Sequence, residues 1–351
     1  VLPPEDFYST DFYTDKLIEY IEANRADGRP FFAFAAYTSP HWPLQVTEEF
    51  IDRYKGAYDA GYDAIRECRI RAQKRLGIVP KSFVPAPPLP SSPELPTWEE
   101  LSEDQRKEQA RRMEIYAAMV ENLDYNIGRL FTYLKEVGEY ENTFVFFQSD
   151  NGAEGEPRDR PNANNSLENL GRRGSYVGLG ARWAEVSSTP FRLWKTYSTE
   201  GGVAVPAIAR LPSSCTRRFP LRGVTHIMDL APTFLELAGI EDPGTTYGDR
   251  TVHPITGLSL LSAIDHQLLG PRRRDWVLVD ELFGHRLVRR DHWKLLWLGP
   301  PYGTSQWTLH DLRNDGAEQV DVSEQEPEVF ASLVAEWDRY VAENGVILAN
   351  Q

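Results

Sequence analysis

The 351-residue sequence contains few cysteines and lacks both a long apolar run and an excess of basic residues. Two cysteines, Cys68 and Cys215, are too few for a disulfide-rich scaffold or a zinc site built from cysteine. The longest apolar run, residues 31–37, is far shorter than the roughly 20 residues that cross a bilayer. We therefore predict no transmembrane segment and no membrane partner.

The charge balance is acidic, with 38 lysines and arginines against 52 aspartates and glutamates and a formal net charge of −14. Such a chain is not expected to bind nucleic acid, because phosphate backbones require clustered basic side chains. A small anion remains a possible substrate, since a few buried cations can reverse the field locally. The composition does not predict an oligomeric state.

The sequence begins at Val1 rather than at a methionine. We expect that an N-terminal segment precedes it, together with any targeting peptide. The few cysteines and the lack of a visible signal peptide favour a cytoplasmic location.

Alternating helical and apolar segments predict an α/β fold. Residues 9–23 and 103–137 have apolar side chains at helical spacing. Residues 31–37, 143–148 and 205–210 are short unbroken apolar runs, which are typical of strands buried on both faces. This order predicts a mostly parallel sheet flanked by helices.

The C-terminal part of the chain has a different pattern, with short segments of alternating polarity joined by tight turns. The predicted strands there are residues 275–280, 285–290, 292–298 and 306–310. A helix is predicted at 326–343. We therefore predict two domains, an α/β domain at 1–265 and a small antiparallel sheet of four strands with one helix at 266–351.

Two polar clusters follow predicted strands, where open parallel sheets bind their ligands. Asp150 and Asn151 offer a carboxylate and an amide oxygen, which are ligands that Ca²⁺ and Mg²⁺ accept. His41 follows another predicted strand, and Lys195 lies in a loop. Each of these features alone is weak evidence for a functional site, since Asp-Asn-Gly is usually a turn and a lone lysine usually lies on the surface.

Taken together, four motifs in chain order resemble the sulfatase family, and most closely its microbial arylsulfatase type. They are Ser39-Pro40-His41-Trp42-Pro43-Leu44-Gln45, Ser149-Asp150-Asn151-Gly152-Ala153-Glu154-Gly155, Lys195 before Gly201-Gly202, and Met228-Asp229-Leu230-Ala231-Pro232-Thr233. The resemblance covers essentially the whole chain. It implies the alkaline-phosphatase-like fold, here incomplete at its N-terminus.

The resemblance implies an enzyme that hydrolyses small-molecule sulfate esters. Such enzymes use a formylglycine as nucleophile and a divalent cation, usually Ca²⁺ with Mg²⁺ as the other choice. The family pattern makes Asp150 and Asn151 two metal ligands, and His41 and Lys195 the catalytic, sulfate-contacting pair. These roles suit the chemistry, because a cation stabilises the sulfuryl charge and a histidine can protonate the leaving alcohol near neutral pH.

The family makes its formylglycine from the first residue of a Cys/Ser-Xaa-Pro-Xaa-Arg motif. Neither Cys68 nor Cys215 lies in such a motif, and we expect no serine form of it in the chain. We therefore predict that the nucleophile lies upstream of Val1 and that the chain alone is inactive. The alternatives are a non-catalytic sulfatase-like remnant and a phosphatase or phosphonate hydrolase of the same superfamily.

Overall fold

The computed structural model describes residues 7–213, 221, 223–265 and 270–348, so Cys215 lies outside the described residues. The helices are α1 (Ser9–Asn24), α2 (Gly61–Leu76), α3 (Glu103–Glu136), α4 (Ala181–Ser188), α5 (Glu200–Val203), α6 (Leu230–Leu237), α7 (Leu261–Asp265) and α8 (Pro327–Asn344). The strands are β1 (Val145–Gln148), β2 (Ala207–Arg210), β3 (Thr246–Tyr247), β4 (Arg250–Thr251), β5 (Val277–Leu282), β6 (His285–Arg290), β7 (Trp293–Trp297) and β8 (Trp307–Asp311). In the described part of the chain no helix is both long and apolar enough to span a membrane.

Helix α3 confirms the helix predicted at 103–137, and local sequence explains its start and end. The Ser102 hydroxyl accepts a hydrogen bond from the Gln105 N–H, and the Gln105 side chain accepts one from the Ser102 N–H. This capping box satisfies two N–H groups that have no partner within the helix. Gly138, with φ of 79°, follows the last turn.

The buried side of α3 packs against α4 and the loop that follows His41. Met113 and Ile115 share this core with Leu44, Phe50 and Trp183. Trp183 is fully buried, and its indole N–H donates to the Gln109 carbonyl of α3 at 2.7 Å. The His41 loop is therefore anchored directly on the largest core.

The prediction of a strand at 31–37 is wrong. The stretch has no ladder partner among the described residues, and the side chains of Phe32 and Phe34 are 73% and 80% exposed. An apolar run becomes a buried strand only when a neighbouring strand takes its N–H and C=O groups and a second layer covers its side chains. Among the residues that the structure describes, only the Phe32 ring of this stretch has an aromatic neighbour, Phe234, with 5.4 Å between the ring centres.

The predicted mostly parallel sheet is also absent from the described residues. Strands β1 and β2 pair with each other antiparallel, with Val145 opposite Arg210. Beyond them, the Ser149 N–H donates to the Pro206 carbonyl at 3.2 Å. The chain between the two strands folds back on itself rather than crossing over the sheet, so the strands run in opposite directions.

The C-terminal antiparallel sheet is confirmed, with strand order β5-β6-β7-β8 and helix α8 packed on it. Val288, Leu295 and Leu309 of the sheet form a core with Leu333 and Trp337 of α8. The strands lie within two residues of their predicted positions, and α8 lies within one residue of the predicted 326–343.

The other face of the same sheet packs on the α/β part of the chain. There Leu287 and Leu296 share a core with Ala184, Leu193 and Trp194. The domain boundary near residue 265 stays a prediction, although the two parts share this buried interface.

Candidate active site

His41 lies in the turn that leads into the core, and a backbone carbonyl fixes its ring. Its Nδ1 is 2.8 Å from the Trp42 carbonyl oxygen. A carbonyl only accepts, so Nδ1 carries a proton and the neutral ring keeps its lone pair on Nε2. The imidazole also stacks on the Trp42 ring at 4.8 Å, and Nε2 is 3.4 Å from the ammonium nitrogen of Lys195.

Lys195 lies in a turn with unusual backbone conformations on both sides. Leu193 has φ of 57° and Thr196 has φ of 91°, and such positive values are rare for residues with a branched side chain. The Lys195 N–H donates to the Ala153 carbonyl at 3.0 Å, which ties the turn to the segment after β1. The two residues that the resemblance paired, His41 and Lys195, are thus brought together by the fold.

Glu154 also contacts Lys195, and sequence reasoning gave it no role. Its carboxylate is 3.5 Å from the Lys195 ammonium and 3.5 Å from Arg158, and it is nearly buried. One of its oxygens accepts from the Glu156 N–H at 2.9 Å. The position of Glu154 within the Asp150–Gly155 motif was the available signal, since the motif already predicted a functional loop.

Asp150 and Asn151 directly follow β1, as predicted. One Asp150 oxygen accepts from the Asn151 N–H at 3.0 Å, and the Asn151 amide donates to the Gly152 carbonyl at 2.9 Å. The Asn151 amide oxygen and the second Asp150 oxygen make no hydrogen bond among the described residues. Behind them the Gly152 N–H donates to the Gly202 carbonyl at 2.9 Å.

Asp150 and Asn151 offer the kind of ligand that a divalent cation takes, but two ligands are fewer than it requires. Carboxylate and amide oxygens suit Ca²⁺ and Mg²⁺, which take about six to eight and about six oxygen ligands respectively. Across residues 7–213, 221, 223–265 and 270–348, no group of three or more His, Cys, Asp or Glu could hold a metal. Asp150 and Asn151 can therefore form only part of a metal site.

A cavity of 1610 Å³ joins the predicted residues. Asp150, Asn151 and Lys195 all line it, while His41 reaches the same place through its contact with Lys195. Other lining groups are titratable: burial lowers the pKa of His226, and burial raises the pKa of Asp280. Both shifts favour the uncharged form of the group concerned.

Asp229, from the fourth motif, has a structural role. It is fully buried, and its carboxylate forms a two-point ion pair with the guanidinium of Arg272. The same carboxylate accepts from the N–H groups of His226 at 2.8 Å and Leu258 at 2.9 Å. Asp229 therefore ties the turn before α6 to the loop at Leu258 and to Arg272.

A buried ion cluster in the wall of the cavity also escaped sequence reasoning. The ammonium of Lys294, on β7, lies 2.7 Å from the carboxylates of both Glu200 and Glu318. Burial would raise the pKa of Glu200, but the charges of Lys294 and Arg289 lower it overall. The available signal was a lysine inside the otherwise apolar strand Trp293–Trp297.

One pentapeptide, Ser188-Thr189-Pro190-Phe191-Arg192, does have the Ser-Xaa-Pro-Xaa-Arg spacing, so the prediction that the chain lacks that pattern is wrong. Ser188 ends α4, which packs on α2, and its hydroxyl is buried without a hydrogen-bond partner. It is not among the residues that line the cavity of Asp150 and Lys195. Its position gives no support to a nucleophile there.

The described part of the chain has an alkaline-phosphatase-like fold. The chain aligns with the solved structure of Ps i-CgsB in complex with k-i-k-neocarrahexaose with a TM-score of 0.60. That alignment covers 96% of this chain and 55% of the other at 20% identity, and it shows the shared fold.

Within that class, the family model named Sulfatase matches residues 1–240, and the chain belongs to the sulfatase family. It is 39% identical over 361 residues to an uncharacterized sulfatase of Schizosaccharomyces pombe, covering 98% of this chain and 63% of the relative. It is 38% identical over 282 residues to an arylsulfatase of Klebsiella aerogenes, covering 78% of this chain and 59% of the relative. The chain thus spans less than two thirds of either protein.

Proposed function

We propose that this chain supplies part of the active site of an enzyme that hydrolyses sulfate esters of the arylsulfatase type. The observation that carries the proposal is the contact of Lys195 with His41 beside a cavity that Asp150 and Asn151 also line. The family and the identity to the Klebsiella aerogenes arylsulfatase support it.

Lys195 and His41 have separate tasks in this proposal. Negative charge on the sulfuryl group moves toward the leaving oxygen as the ester bond breaks, and a fixed ammonium stabilises that charge. Because Nδ1 of His41 already donates to the Trp42 carbonyl, the proton gained by a charged ring resides on Nε2. Since Nδ1 is already engaged, the Nε2 proton is the one that His41 gives to the leaving oxygen.

Asp150 and Asn151 would hold a divalent cation, which we propose to be Ca²⁺ or Mg²⁺. When bound, the cation would polarise the sulfate oxygens and neutralise part of their charge. The chain offers two of the ligands, so we expect binding weaker than micromolar. Submicromolar affinity for Ca²⁺ in calorimetry would contradict this.

The nucleophile of the proposed reaction is a formylglycine expected upstream of Val1. We therefore expect no turnover of nitrophenyl sulfate by purified 1–351, with or without Ca²⁺. Metal-dependent turnover by this chain would overturn that expectation. An upstream reading frame without Cys-Xaa-Pro-Xaa-Arg would favour the alternative of a non-catalytic remnant.

Binding of inorganic sulfate tests the proposed site independently of catalysis. We expect calorimetry on the full chain to detect sulfate binding that Lys195→Met weakens about tenfold, as expected for one charge-assisted contact of about 1.5 kcal/mol. Lys81→Met removes an exposed lysine elsewhere and serves as the matched control. Equal affinities for all three proteins would refute the proposed sulfate site.

A further inference from the structure

A row of side chains in contact leads away from the Lys195–His41 pair. The His41 ring contacts the Trp42 ring at 4.8 Å, and the Trp42 ring contacts the Tyr176 ring at 5.8 Å. The row ends at Arg160, whose guanidinium carbon lies 4.0 Å from the centre of the Tyr176 ring. We call this row, from His41 through Trp42 and Tyr176 to Arg160, the aromatic ridge.

The outer end of the ridge is held in place by backbone contacts. The Arg160 N–H donates to the Tyr176 carbonyl at 3.1 Å. The side chain of Asn165 accepts from the Tyr176 N–H at 2.8 Å and donates to the Arg160 carbonyl at 3.1 Å. Arg160 and Tyr176 therefore keep their positions relative to each other, although Arg160 itself is exposed.

Arg160 has no ion-pair partner in the part of the chain that the structure describes, and two carboxylates close to it in sequence are already engaged. Asp159 pairs with Arg112 at 2.5 Å, and Glu154 is shared by Lys195 and Arg158. An arginine without a carboxylate is notable in a chain with a net charge of −14. A guanidinium packed against a ring can still present its N–H fork to an anion.

We propose that Arg160 binds a second anionic group on the leaving alcohol of the sulfate ester. This inference rests on the proposed function, since the ridge starts at the residues that would contact the sulfate being cleaved. The substrate class is a sulfate ester of an alcohol that also carries a carboxylate or another sulfate. An acidic saccharide has this chemistry, and its ring can pack along the aromatic ridge.

The expected effect is modest because Arg160 is exposed to solvent. An exposed charge pair changes an affinity by about three- to fivefold, and salt screens it. Arg160 is therefore a specificity-determining residue that distinguishes leaving groups, while inorganic sulfate makes no use of it.

The test compares two sulfated disaccharides, one with a neutral hexose as its second ring and one with a uronate, by calorimetry on the full chain. We expect the uronate ligand to bind about three- to fivefold more tightly in low salt. Arg160→Gln should remove that preference, whereas Arg160→Lys should retain part of it. Arg173→Gln is the matched control, since Arg173 is exposed in the same region and stacks on no described ring.

Each outcome has one consequence. Equal binding of both disaccharides by the unaltered chain, or a preference that survives Arg160→Gln, overturns the inference. If inorganic sulfate still binds in a Lys195-dependent manner, the proposed sulfate site stands and only the role of Arg160 is wrong. If neither sulfate nor either disaccharide binds, both are wrong.

Discussion

Gly152 allows the loop of Asp150 and Asn151 to lie directly against the helix that follows Lys195. A Cβ atom at this position would be 2.0 Å from the Gly201 carbonyl oxygen and 3.0 Å from the Gly202 Cα. Both neighbours are backbone atoms, which cannot rotate away as a side chain can. The absence of a side chain at one residue therefore sets the distance between Asp150–Asn151 and the Lys195 turn.

Replacing Gly152 by alanine should separate these two segments. We expect Gly152→Ala to lower the free energy of unfolding by about 1–3 kcal/mol, the usual cost of overpacking. It should also weaken Ca²⁺ and sulfate binding. Urea denaturation and calorimetry measure the two effects.

Gly128→Ala is the control for that substitution, because Gly128 lies inside α3 with no atom within 4 Å of the added Cβ. Alanine is the better helix former, so a gain of up to about 1 kcal/mol is expected there. A Gly152→Ala protein as stable as the unaltered chain would show that the close approach of the two loops is not required.

Because of His310, we expect the protein to lose stability in mild acid. Burial lowers its pKa, and Arg192 lowers it further, although Glu318, Asp315 and the Val320 carbonyl oppose these effects. The unfolded state, with a pKa near 6.5, binds the proton more readily. Stability should therefore fall as the pH decreases through about 6.5 toward the lowered folded value.

Urea denaturation between pH 5 and pH 8 measures this dependence. His310→Gln should have a smaller slope of stability against pH, with some slope remaining because burial also lowers the pKa of His226 and His285. An unchanged slope in the variant would argue against the role of His310.

At the scale of elements, the Lys294 cluster connects α5 to the C-terminal sheet. Lys294 is 1% exposed and lies between two carboxylates, and the Glu200 N–H donates to Glu318 at 2.9 Å. Glu200 starts the short helix that contains Gly201 and Gly202. The C-terminal sheet thus supports the segment on which Asp150, Asn151 and Lys195 depend.

Removing the lysine should be strongly destabilising, since Glu200 and Glu318 would stay buried without a counter-charge. We expect Lys294→Met to lower the free energy of unfolding by about 3–5 kcal/mol. Lys107→Met is the control: Lys107 also lies between two carboxylates, but it is 52% exposed, and its loss should leave Tm unchanged. Similar Tm values for both variants would contradict the argument.

The elements that the sequence predicted well are those whose signals are local. The capping box of α3, the helical spacing of α1 and α8, and the alternation of β5–β8 all lie within a few residues. Pairing of β1 with β2 joins residues about 60 positions apart, and local pattern cannot report its direction. The prediction of a strand at 31–37 failed for the same reason, since the apolarity of a run does not show whether a neighbouring strand pairs with it.

The residues of the candidate site likewise divide into those that the sequence identifies and those that it does not. His41, Asp150, Asn151 and Lys195 belong to motifs with a recognisable order, so they could be named from the sequence. Glu154 and Lys294 act through partners that only the folded chain brings near, 41 residues away for Lys195 and 94 for Glu200. Their roles can therefore be recognised only in the folded structure.

At the scale of the whole molecule, the chain exposes apolar surface that a globular protein normally covers. Phe32, Phe34 and Ile208 are each more than 60% exposed, and β1 and β2 form a sheet of only two strands in the described part of the chain. Exposed aromatic side chains and unpaired strand edges both promote association. We therefore expect this chain to associate more readily than a domain whose apolar side chains and strand edges are covered.

We expect purified 1–351 to bind the dye ANS in native buffer and to self-associate as its concentration rises, because its apolar surface can be buried only against other molecules. The double variant Phe32→Ser/Phe34→Ser should bind less dye and associate more weakly. Leu76→Ser/Ile78→Ser removes two side chains of similar exposure near the end of α2, away from this surface, and should change little. Light scattering and dye fluorescence measure both properties, and a monomer without dye binding would mean that residues 31–37 are covered in solution.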